Sequence, residues 1–568
     1  MSELPPFILY FIAALLVVVT TGLTRKVIML VTPLIVAAHL WLNIEPGLSV
    51  SHTLLNFDLV MLRADKLSIL FAYLFCLASF IAIIFASHLD DTRQHVAGLV
   101  YAGSASGAVF SGDLITLFIF WELLAISSVF LIWARGTERA FKAGMRYLIF
   151  QVMSGVLLLA GALVHFNSTG SLEFGHIGLQ STAGWLVMIA FGVKAAFPFL
   201  HTWLTDGYSE ATVTGTVFLS AFSTKTAIYA LARGFAGEEL LVYVGVTMAC
   251  LPIFYAVIEN DLRKVLAYSL INQLGFMVVG VGIGTALALN GTVAHAVAHV
   301  LYKGLLFMSM GAVLYRVGNI NGSDLGGLYK TMPKTTVLCI IGALSISAFP
   351  LFSGFVSKSM IITALMEQQY GILWLLMLFA SAGVFHHAGI KIPYFAFFAH
   401  DSGLRPKEAP ANMLIAMFIA AAFCLFIGMQ PQYLYALLPW QVDYWPYDIS
   451  HVVTQLQLLF FSAFAFVWLN QKGLYPPELH STNLDAEWFY RKLAPAGIQH
   501  VVAFLARVKQ AAIGMLTAPV QPIRHYFLQS SVAKYHLAQS WPTGSMVFWI
   551  SIILVSYLLS EFIGFGID

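Results

Sequence analysis

The feature that most constrains this chain is a series of apolar runs, each about 17 to 25 residues long. A helix of that length crosses the roughly 30 Å hydrocarbon core of a bilayer, whereas the strands of an outer-membrane barrel alternate over about ten residues. Of the 568 residues, 59% are hydrophobic and 10% are charged, while about a quarter are charged in soluble domains. The sequence therefore predicts an all-α polytopic membrane protein embedded in the lipid bilayer.

Charge and motifs exclude several classes of function. The net charge of +2 provides no basic surface for nucleic acid. All four cysteines lie inside apolar runs without metal-ligand spacing. The sequence contains no P-loop, GxSxG or HExxH motif and no GxGxxG after a strand. We therefore expect no nucleic-acid partner, no metal and no cofactor.

We predict about sixteen transmembrane helices, the first of them retained because residues 7–22 lack a basic leader and a cleavage site. Segment 335–366 is too long for one straight crossing and carries Pro350 and Gly354 at its middle, so it is predicted to be one broken span. The spans are 7–22, 27–43, 67–88, 96–112, 114–134, 147–165, 185–204, 213–235, 240–258, 265–286, 290–316, 335–366, 372–398, 411–429, 451–471 and 546–563.

Basic residues test this count. Fourteen lysines and arginines fall in connections that follow odd-numbered spans, and three fall in connections that follow even-numbered spans. Residues 472–545 add seven more on the odd side. By the positive-inside rule the odd connections are cytoplasmic, so both termini are predicted outside and the membrane is the cytoplasmic (inner) membrane of a bacterial-type cell.

Five lysines remain, and each lies within an apolar span: Lys194, Lys225, Lys303, Lys358 and Lys391. A charged group at the centre of a span costs about 2.5 to 3.5 kcal/mol on insertion scales. Snorkelling or a structural ion pair is the alternative for any one of them. A buried lysine can release a proton near neutral pH, whereas arginine stays protonated. These lysines are therefore candidate proton carriers.

Two of the lysines mark broken helices. Lys194 precedes Pro198 and Lys358 follows Pro350, and in both cases the next span holds another lysine, Lys225 or Lys391. The two pairs are offset by nearly equal lengths of chain and by five spans. This predicts two inverted five-helix repeats, spans 4–8 and 9–13, with two broken helices near a transport site.

A carboxylate and two histidines extend the candidate site. Among the carboxylates, Glu122 lies deep in a span and is predicted to pair with a lysine, the alternative being a structural hydrogen bond. His295, His299 and Lys303 are spaced i, i+4 and i+8 on one helix stripe. They suit a hydrated proton relay. The alternatives are that the two histidines are satisfied core residues, or that His295 and His386 are haem ligands.

At these residues the chain resembles the antiporter-like membrane subunits shared by Mrp-type multisubunit cation/proton antiporters, notably their D-type subunit, and respiratory complex I. The resemblance extends over roughly residues 65–400. It rests on the stretches FIFWELL, FGVKAAFPFLHTWLTDGYSEA, STKTAIYAL, DLRKVLAYSLINQLGFM, HAVAHVLYKGLLFM and PLFSGFVSKSMI. It implies a chain of protonatable groups from Glu122 and Lys194 through Lys225, His295, His299 and Lys303 to Lys358. Lys391 rests on the repeat argument alone.

The branch of the family is left open. The stretch TDG at 205–207 stands where many relatives have PDA, and AFP at 348–350 stands where many have a glycine before the proline. Segment 476–545 predicts a C-terminal amphipathic lateral helix before a last span, as in the longest complex I subunits, while GVFHHAGIKIPYFAFFAHDSG is closer to Mrp D-type sequences. The predicted organisation is 1–95 N-terminal helices, 96–235 first repeat, 236–400 second repeat, 401–475 additional helices, 476–545 cytoplasmic-side segment and 546–568 terminal helix.

The functional prediction is a proton-translocating, antiporter-like transporter subunit that exchanges H⁺ for a monovalent cation, Na⁺, beside other membrane subunits of one complex. Three alternatives stand. One is a proton-pumping subunit of a complex I or hydrogenase-type redox complex, and another is an energy-coupling subunit for inorganic-carbon uptake. The third, from a different class, is a haem-binding membrane oxidoreductase.

Overall fold

The computed structural model of the protein describes residues 4–54, 57–441, 443–481, 483–517 and 543–562. These residues fall into two compact units, Met1–Ala486 and Glu487–Asp568. In the first unit the helices are α1 Pro6–Val19, α2 Gly22–Asn43, α3 Lys66–Ala86, α4 Thr92–Phe110, α5 Leu114–Trp133, α6 Glu138–Thr169, α7 Thr182–Lys194, α8 Thr202–Glu210, α9 Gly215–Ala221, α10 Ser223–Gly234, α11 Leu240–Ile258, α12 Leu262–Ile283, α13 Ala286–Val317, α14 Pro333–Ile346, α15 Ser353–Glu367, α16 Gly371–Phe398, α17 Ala411–Met429, α18 Pro431–Tyr435 and α19 Ile449–Gln471. In the second unit they are α20 Ala494–Thr517 and α21 Thr543–Phe562.

The all-α membrane fold predicted from the sequence is confirmed. Within the described residues, ten helices are long and apolar enough to cross a membrane. The six other predicted spans fall on shorter, broken or less apolar helices, so sixteen crossings remain a prediction. The sequence analysis missed a β-hairpin between α2 and α3, in which β1 Ser49–Leu54 pairs antiparallel with β2 Phe57–Arg63.

The connections form two separate groups of contacts. Among odd connections, Arg146 after span 5 binds Asp206 after span 7 at 2.8 Å. On the even side, Arg233 at the end of span 8 binds Asp65 after span 2 at 2.5 Å. A backbone bridge also joins two odd connections, since Asp261 after span 9 pairs with Asn321 after span 11. The chain therefore runs back and forth between two faces, called here the odd face and the even face.

The first unit contains two copies of one backbone pattern. Helix α4 and helix α11 have the same length, as do α6 and α13, and the interval along the chain from α4 to α11 equals that from α6 to α13. The caps repeat as well, because Asp113 and Asp261 each accept hydrogen bonds from the backbone two and three residues on. These recurring features support the predicted repeats of spans 4–8 and 9–13, and the inverted orientation of the second copy stays a prediction.

The two broken helices share one conformation. Ala196 and Phe199 have φ of 62° and 67°, while Ala348 and Leu351 have φ of 56° and 74°. Because a left-handed residue cannot continue an α-helix, each pair of positive φ values interrupts its span on either side of the proline. The two left-handed residues have the same spacing in both breaks, so Ala348 is equivalent to Ala196 and Leu351 to Phe199.

This register corrects the pairing of the lysines. Lys194 is the last residue before the first break, whereas Lys358 lies in α15, beyond the second break. The residue equivalent to Lys194 is Ile346, the last residue of α14. The similar offsets between the two lysine pairs therefore do not express the repeat, because the lysines occupy different positions on the shared backbone.

Two further irregularities were not predicted. Span 8 is interrupted at Phe222, between α9 and α10. Helix α16 contains π-helical turns at Phe385–Ile390 and Tyr394–Phe398. In the second unit, the predicted lateral segment is helical over Ala494–Thr517, and residues 518–542 of that prediction lie outside the described residues.

Candidate functional site

The eight titratable residues predicted from the sequence all lie on helices of the first unit. Seven of them have exposed fractions of 0 to 1%, and the Glu122 side chain is partly exposed. The seven are Lys194, Lys225, His295, His299, Lys303, Lys358 and Lys391. A buried ammonium group is tolerated when hydrogen-bond acceptors or a counter-charge offset its lost hydration. The contacts of each lysine therefore show how it is held.

Lys194 is held by the backbone of α5. Its Nζ donates a 2.7 Å hydrogen bond to the carbonyl oxygen of Trp121 and lies 4.5 Å from the centroid of the indole ring. Trp121 is itself fixed, because its Nε1 donates to Ser154 Oγ at 2.8 Å. The ammonium group thus rests on the residue next to Glu122.

Glu122 occupies a space that a glycine provides. A Cβ atom on Gly155 of α6 would stand 1.5 Å from Glu122 Oε1, so any side chain there would displace the carboxylate. Glu122 Oε1 has no hydrogen-bond partner among the described residues. The charges of Glu122 and Lys194 act on each other, but the lysine donates to Trp121 and forms no salt bridge with Glu122 in the described part of the chain.

Lys225 depends on the unpredicted interruption at Phe222. Its Nζ donates to the carbonyl oxygen of Ser220 at 2.6 Å and to Thr224 Oγ1 at 3.2 Å. A helix end leaves carbonyl oxygens without backbone donors. The interruption therefore supplies the acceptor that this buried ammonium group needs.

Helix α13 carries the stripe of His295, His299 and Lys303 that the spacing predicted. His295 is hydrogen-bonded through both ring nitrogens, with Nδ1 2.9 Å from Ser357 Oγ and Nε2 3.3 Å from the Tyr302 hydroxyl. This leaves neither nitrogen free, which argues against haem ligation. Lys303 Nζ donates to Ser269 Oγ at 2.8 Å.

His299 differs from the other members of the stripe. Neither of its ring nitrogens has a hydrogen-bond partner among the described residues, although the ring is completely buried. Its centroid lies 6.3 Å from that of His295 and 5.3 Å from that of Tyr302. A buried imidazole with both nitrogens unpaired can take up a proton at one and release it at the other.

Lys358 reaches back across the second break. Its Nζ donates to the carbonyl oxygen of Ile346 at 3.2 Å and lies 4.9 Å from the Phe276 ring centroid. The neighbouring residue Ser357 contacts His295. Lys358 therefore adjoins the end of the stripe on α13. Its ammonium group binds the carbonyl oxygen of Ile346, the residue equivalent to Lys194 of the first repeat.

Lys391 lies at the odd face. Its Nζ donates to the carbonyl oxygens of Val257 at 2.6 Å and Glu259 at 2.7 Å, where α11 ends, and pairs with Glu478 Oε1 at 2.9 Å. A cation at this position complements the negative end of the helix dipole. Lys391 thus has a stabilising role, and its part in transport stays a prediction.

Three residues of this region were not singled out by the sequence analysis. Trp121 and Tyr302 lie inside the stretches FIFWELL and HAVAHVLYKGLLFM, so their adjacency to Glu122 and Lys303 was the available signal. The third is His387 on the first π-helical turn of α16, which is fully buried. No pattern in a single sequence predicts a π-helical turn.

A bundle of long apolar helices with charged groups buried inside it defines a polytopic all-α membrane protein. Residues 111–386 match the family described as NADH:quinone oxidoreductase/Mrp antiporter, TM. This match confirms the resemblance drawn from the sequence.

Similar proteins come from antiporters and from a hydrogenase. The chain is 27% identical over 432 residues to hydrogenase-4 component B of Escherichia coli (strain K12), covering 66% of this chain and 63% of the relative. It is 29% identical over 310 residues to the D-type subunit of the Na(+)/H(+) antiporter of Alkalihalophilus pseudofirmus, covering 50% and 63%. Its fold matches a chain of the Mrp complex from Dietzia sp. DQ12-45-1b with a TM-score of 0.75 and 21% identity, covering 98% of this chain and 62% of that one. The chain thus spans less than two thirds of each of these proteins.

Proposed function

We propose that this chain is a proton-translocating, antiporter-like subunit of a multisubunit membrane complex that exchanges H⁺ for a monovalent cation, Na⁺. The observation that carries the proposal is the line of buried titratable groups through both repeats, which begins at Glu122 and Lys194 and ends at Lys358. Such groups are costly in a membrane and mark ion or proton pathways. The similarity to an Na(+)/H(+) antiporter subunit supports the choice of cation.

The proposed mechanism uses the loose coupling of Glu122 and Lys194. Since the ammonium group binds a neutral carbonyl oxygen rather than the carboxylate, a small shift changes the separation of the two charges. Approach favours the protonated lysine, and separation favours release of its proton. The released proton would pass through Lys225 and the stripe on α13 to Lys358, where access to one side of the membrane opens.

The test compares two lysine variants of the whole complex in sealed vesicles of its native membrane. Lys194→Ala is expected to abolish the Na⁺-dependent collapse of a pH gradient, followed with a pH-sensitive dye, while the complex still assembles. Lys142→Ala is the matched control, because Lys142 is exposed and pairs with Glu138 on the odd face. Full transport by Lys194→Ala would refute the proposal.

A second candidate function is supported by the similarity to hydrogenase-4 component B. In it the same groups pump protons with energy from electron transfer in partner subunits. Mild-detergent purification from the native membrane separates the two. Small hydrophobic partners without flavin or iron-sulfur proteins are expected of the antiporter, whereas redox subunits would establish the pump.

The remaining proposals concern location and cofactors. We place the chain in the cytoplasmic membrane with the basic odd face inside and both termini outside, because of the distribution of lysine and arginine. We also propose that the chain itself binds no metal or cofactor. Labelling of single cysteines introduced at Lys142 on the odd face and at Glu173 on the even face, with an impermeant reagent, tests the orientation.

A further inference from the structure

A histidine on a π-helical turn stands outside the line described above. His387 lies on the turn Phe385–Ile390 of α16 and has an exposed fraction of 0%. The backbone of Gly383 is near enough to its ring for a weak hydrogen bond. Neither ring nitrogen has a hydrogen-bond partner of good geometry among the described residues. Leaving a buried imidazole unpaired is costly, and π-helical turns occur often at functional sites. His387 therefore calls for a function beyond packing.

Two buried lysines lie near His387. Lys303 and Lys391 are both near enough for their charges to act on its ring. Lys391 follows four residues later on the same helix, on the same side, and Lys303 is the last member of the stripe on α13. The imidazole is thus near both Lys303 of the central line and Lys391 at the odd face.

Beyond Lys391 the next group is a carboxylate. Glu478, whose side chain is 6% exposed, pairs with Lys391 at 2.9 Å. It belongs to residues 474–481 and 483–486, called here the covering segment, which follow α19. Burial raises the pKa of the Glu478 carboxyl above its ordinary value, although the charge of Lys391 lowers it. The charge of Glu259 also acts on both members of the pair.

We propose that Glu478, Lys391 and His387 form an access path that carries protons between the odd face and Lys303. The path rests on the proposed function, because it feeds the same central line. It adds an entrance through the side of the second repeat, separate from Glu122 and Lys194 in the first repeat.

Each step of the path moves one proton between a nitrogen or oxygen and the next. The Lys391 ammonium group gives a proton to one ring nitrogen of His387, and the imidazolium passes a proton to the neutral amine of Lys303. The Glu478 carboxylate then takes up a proton from water at the odd face and passes it to the neutral Lys391 amine. This restores the ion pair, so no co-reactant is needed.

The first test replaces His387 and compares it with its neighbour. In vesicles that contain the whole complex, His387→Asn is expected to lower the rate of proton transport at least tenfold, because an amide cannot carry a proton. His386→Asn is the matched control: His386 is on the same turn and its Nε2 also lacks a partner among the described residues, but its ring is only partly buried and packs against Phe466 and Tyr475. This control is expected to retain more than half of the rate.

The second test separates a proton carrier from a structural ion pair. Lys391→Arg keeps a cation that can bind the carbonyl oxygens and Glu478, but the guanidinium group does not release its proton. The complex is expected to keep its thermal unfolding midpoint and to lose transport at least tenfold. Glu478→Gln, which removes the proton acceptor but keeps the shape, is expected to lower transport as well.

The outcomes distinguish this path from the proposed function. If Lys194→Ala abolishes transport while His387→Asn, Lys391→Arg and Glu478→Gln all transport at the wild-type rate, the path is refuted and the proposed function stands. If Lys194→Ala transports normally, the proposed function itself fails. Loss of transport in His387→Asn with His386→Asn intact supports the path, even where Lys391→Arg fails to assemble.

Discussion

The two repeats of the first unit share a backbone but differ in their titratable groups. Their helices, caps and breaks recur in the same order at nearly constant intervals along the chain. On the long helix of the second repeat, α13, His299 and Lys303 face the interior of the bundle. The positions equivalent to them on α6 are Gln151 and Gly155.

This difference gives the line of groups a direction. In the first repeat the glycine at position 155 leaves room for the carboxylate of Glu122, so that repeat pairs an acid with Lys194. In the second repeat the same place is filled by Lys303, and the neighbouring groups are bases. A duplicated scaffold thus carries an acid at one end and a row of bases at the other, and under the proposed function this asymmetry would bias the direction of proton movement.

The largest expected effect comes from equivalent positions of α6 and α13. His299→Leu is expected to abolish proton transport in vesicles, because it removes an imidazole with two unpaired nitrogens from the relay. Gln151→Leu, at the equivalent position, is expected to keep more than half of the rate, since an amide does not titrate. Equal losses in both variants would show that the two repeats work alike.

A smaller effect is expected from two glycines. Gly155→Ala places a methyl group where Glu122 Oε1 stands, so we expect it to displace the carboxylate and slow transport about tenfold, or about 1.4 kcal/mol in the barrier. Gly304→Ala on α13 is the control, because no atom lies within 4 Å of its added Cβ. That variant is expected to transport normally, and normal transport by both would remove Glu122 from the mechanism.

The smallest effect concerns Asp485, which joins the two repeats through the covering segment. Its Oδ2 lies 3.1 Å from His201 Nε2 of the first repeat and accepts a 2.8 Å hydrogen bond from Tyr268 of the second. Burial raises the pKa of Asp485, whereas its hydrogen bonds and the charge of His201 lower it. The lowering effects are larger together, so the pKa of Asp485 lies below its ordinary value.

A lowered pKa sets the direction of the pH dependence. The Asp485 carboxylate stabilises the fold at pH values above the ordinary aspartate pKa of about 4 and loses this contribution as the pH falls below it. Amide hydrogen exchange in the covering segment, corrected for intrinsic rates, is therefore expected to rise on acidification. Asp485→Asn should flatten this profile, and an unchanged profile would contradict the assignment.

Much of the fold and part of the site were predictable because they depend on local properties. Apolar runs identify spans, since the cost of burying backbone and charge is set by a few neighbouring residues. For the same reason a lysine inside an apolar run, such as Lys194 or Lys303, could be recognised as exceptional. The i, i+4 spacing of His295 and His299 was enough to place them on one face of a helix.

The register of the repeats could not be obtained in this way. Lys194 and Lys358 each stand near a proline, so they looked equivalent in the sequence. The structure separates them, because equivalence is set by the main chain: the left-handed residues Ala196 and Ala348 mark the same point of the two breaks. The type of side chain does not show where along the backbone the helix breaks.

The sequence by itself determined a membrane-spanning helical bundle with buried lysines, because the length of each apolar run and the isolated charges inside it can be read directly from the sequence. Only the tertiary structure decided what each charge contacts. It placed Lys194 on the Trp121 carbonyl, opened a space for Glu122 at Gly155 and brought Glu478 to Lys391. These contacts join residues far apart in the chain, and they are fixed by how the helices pack and where they break.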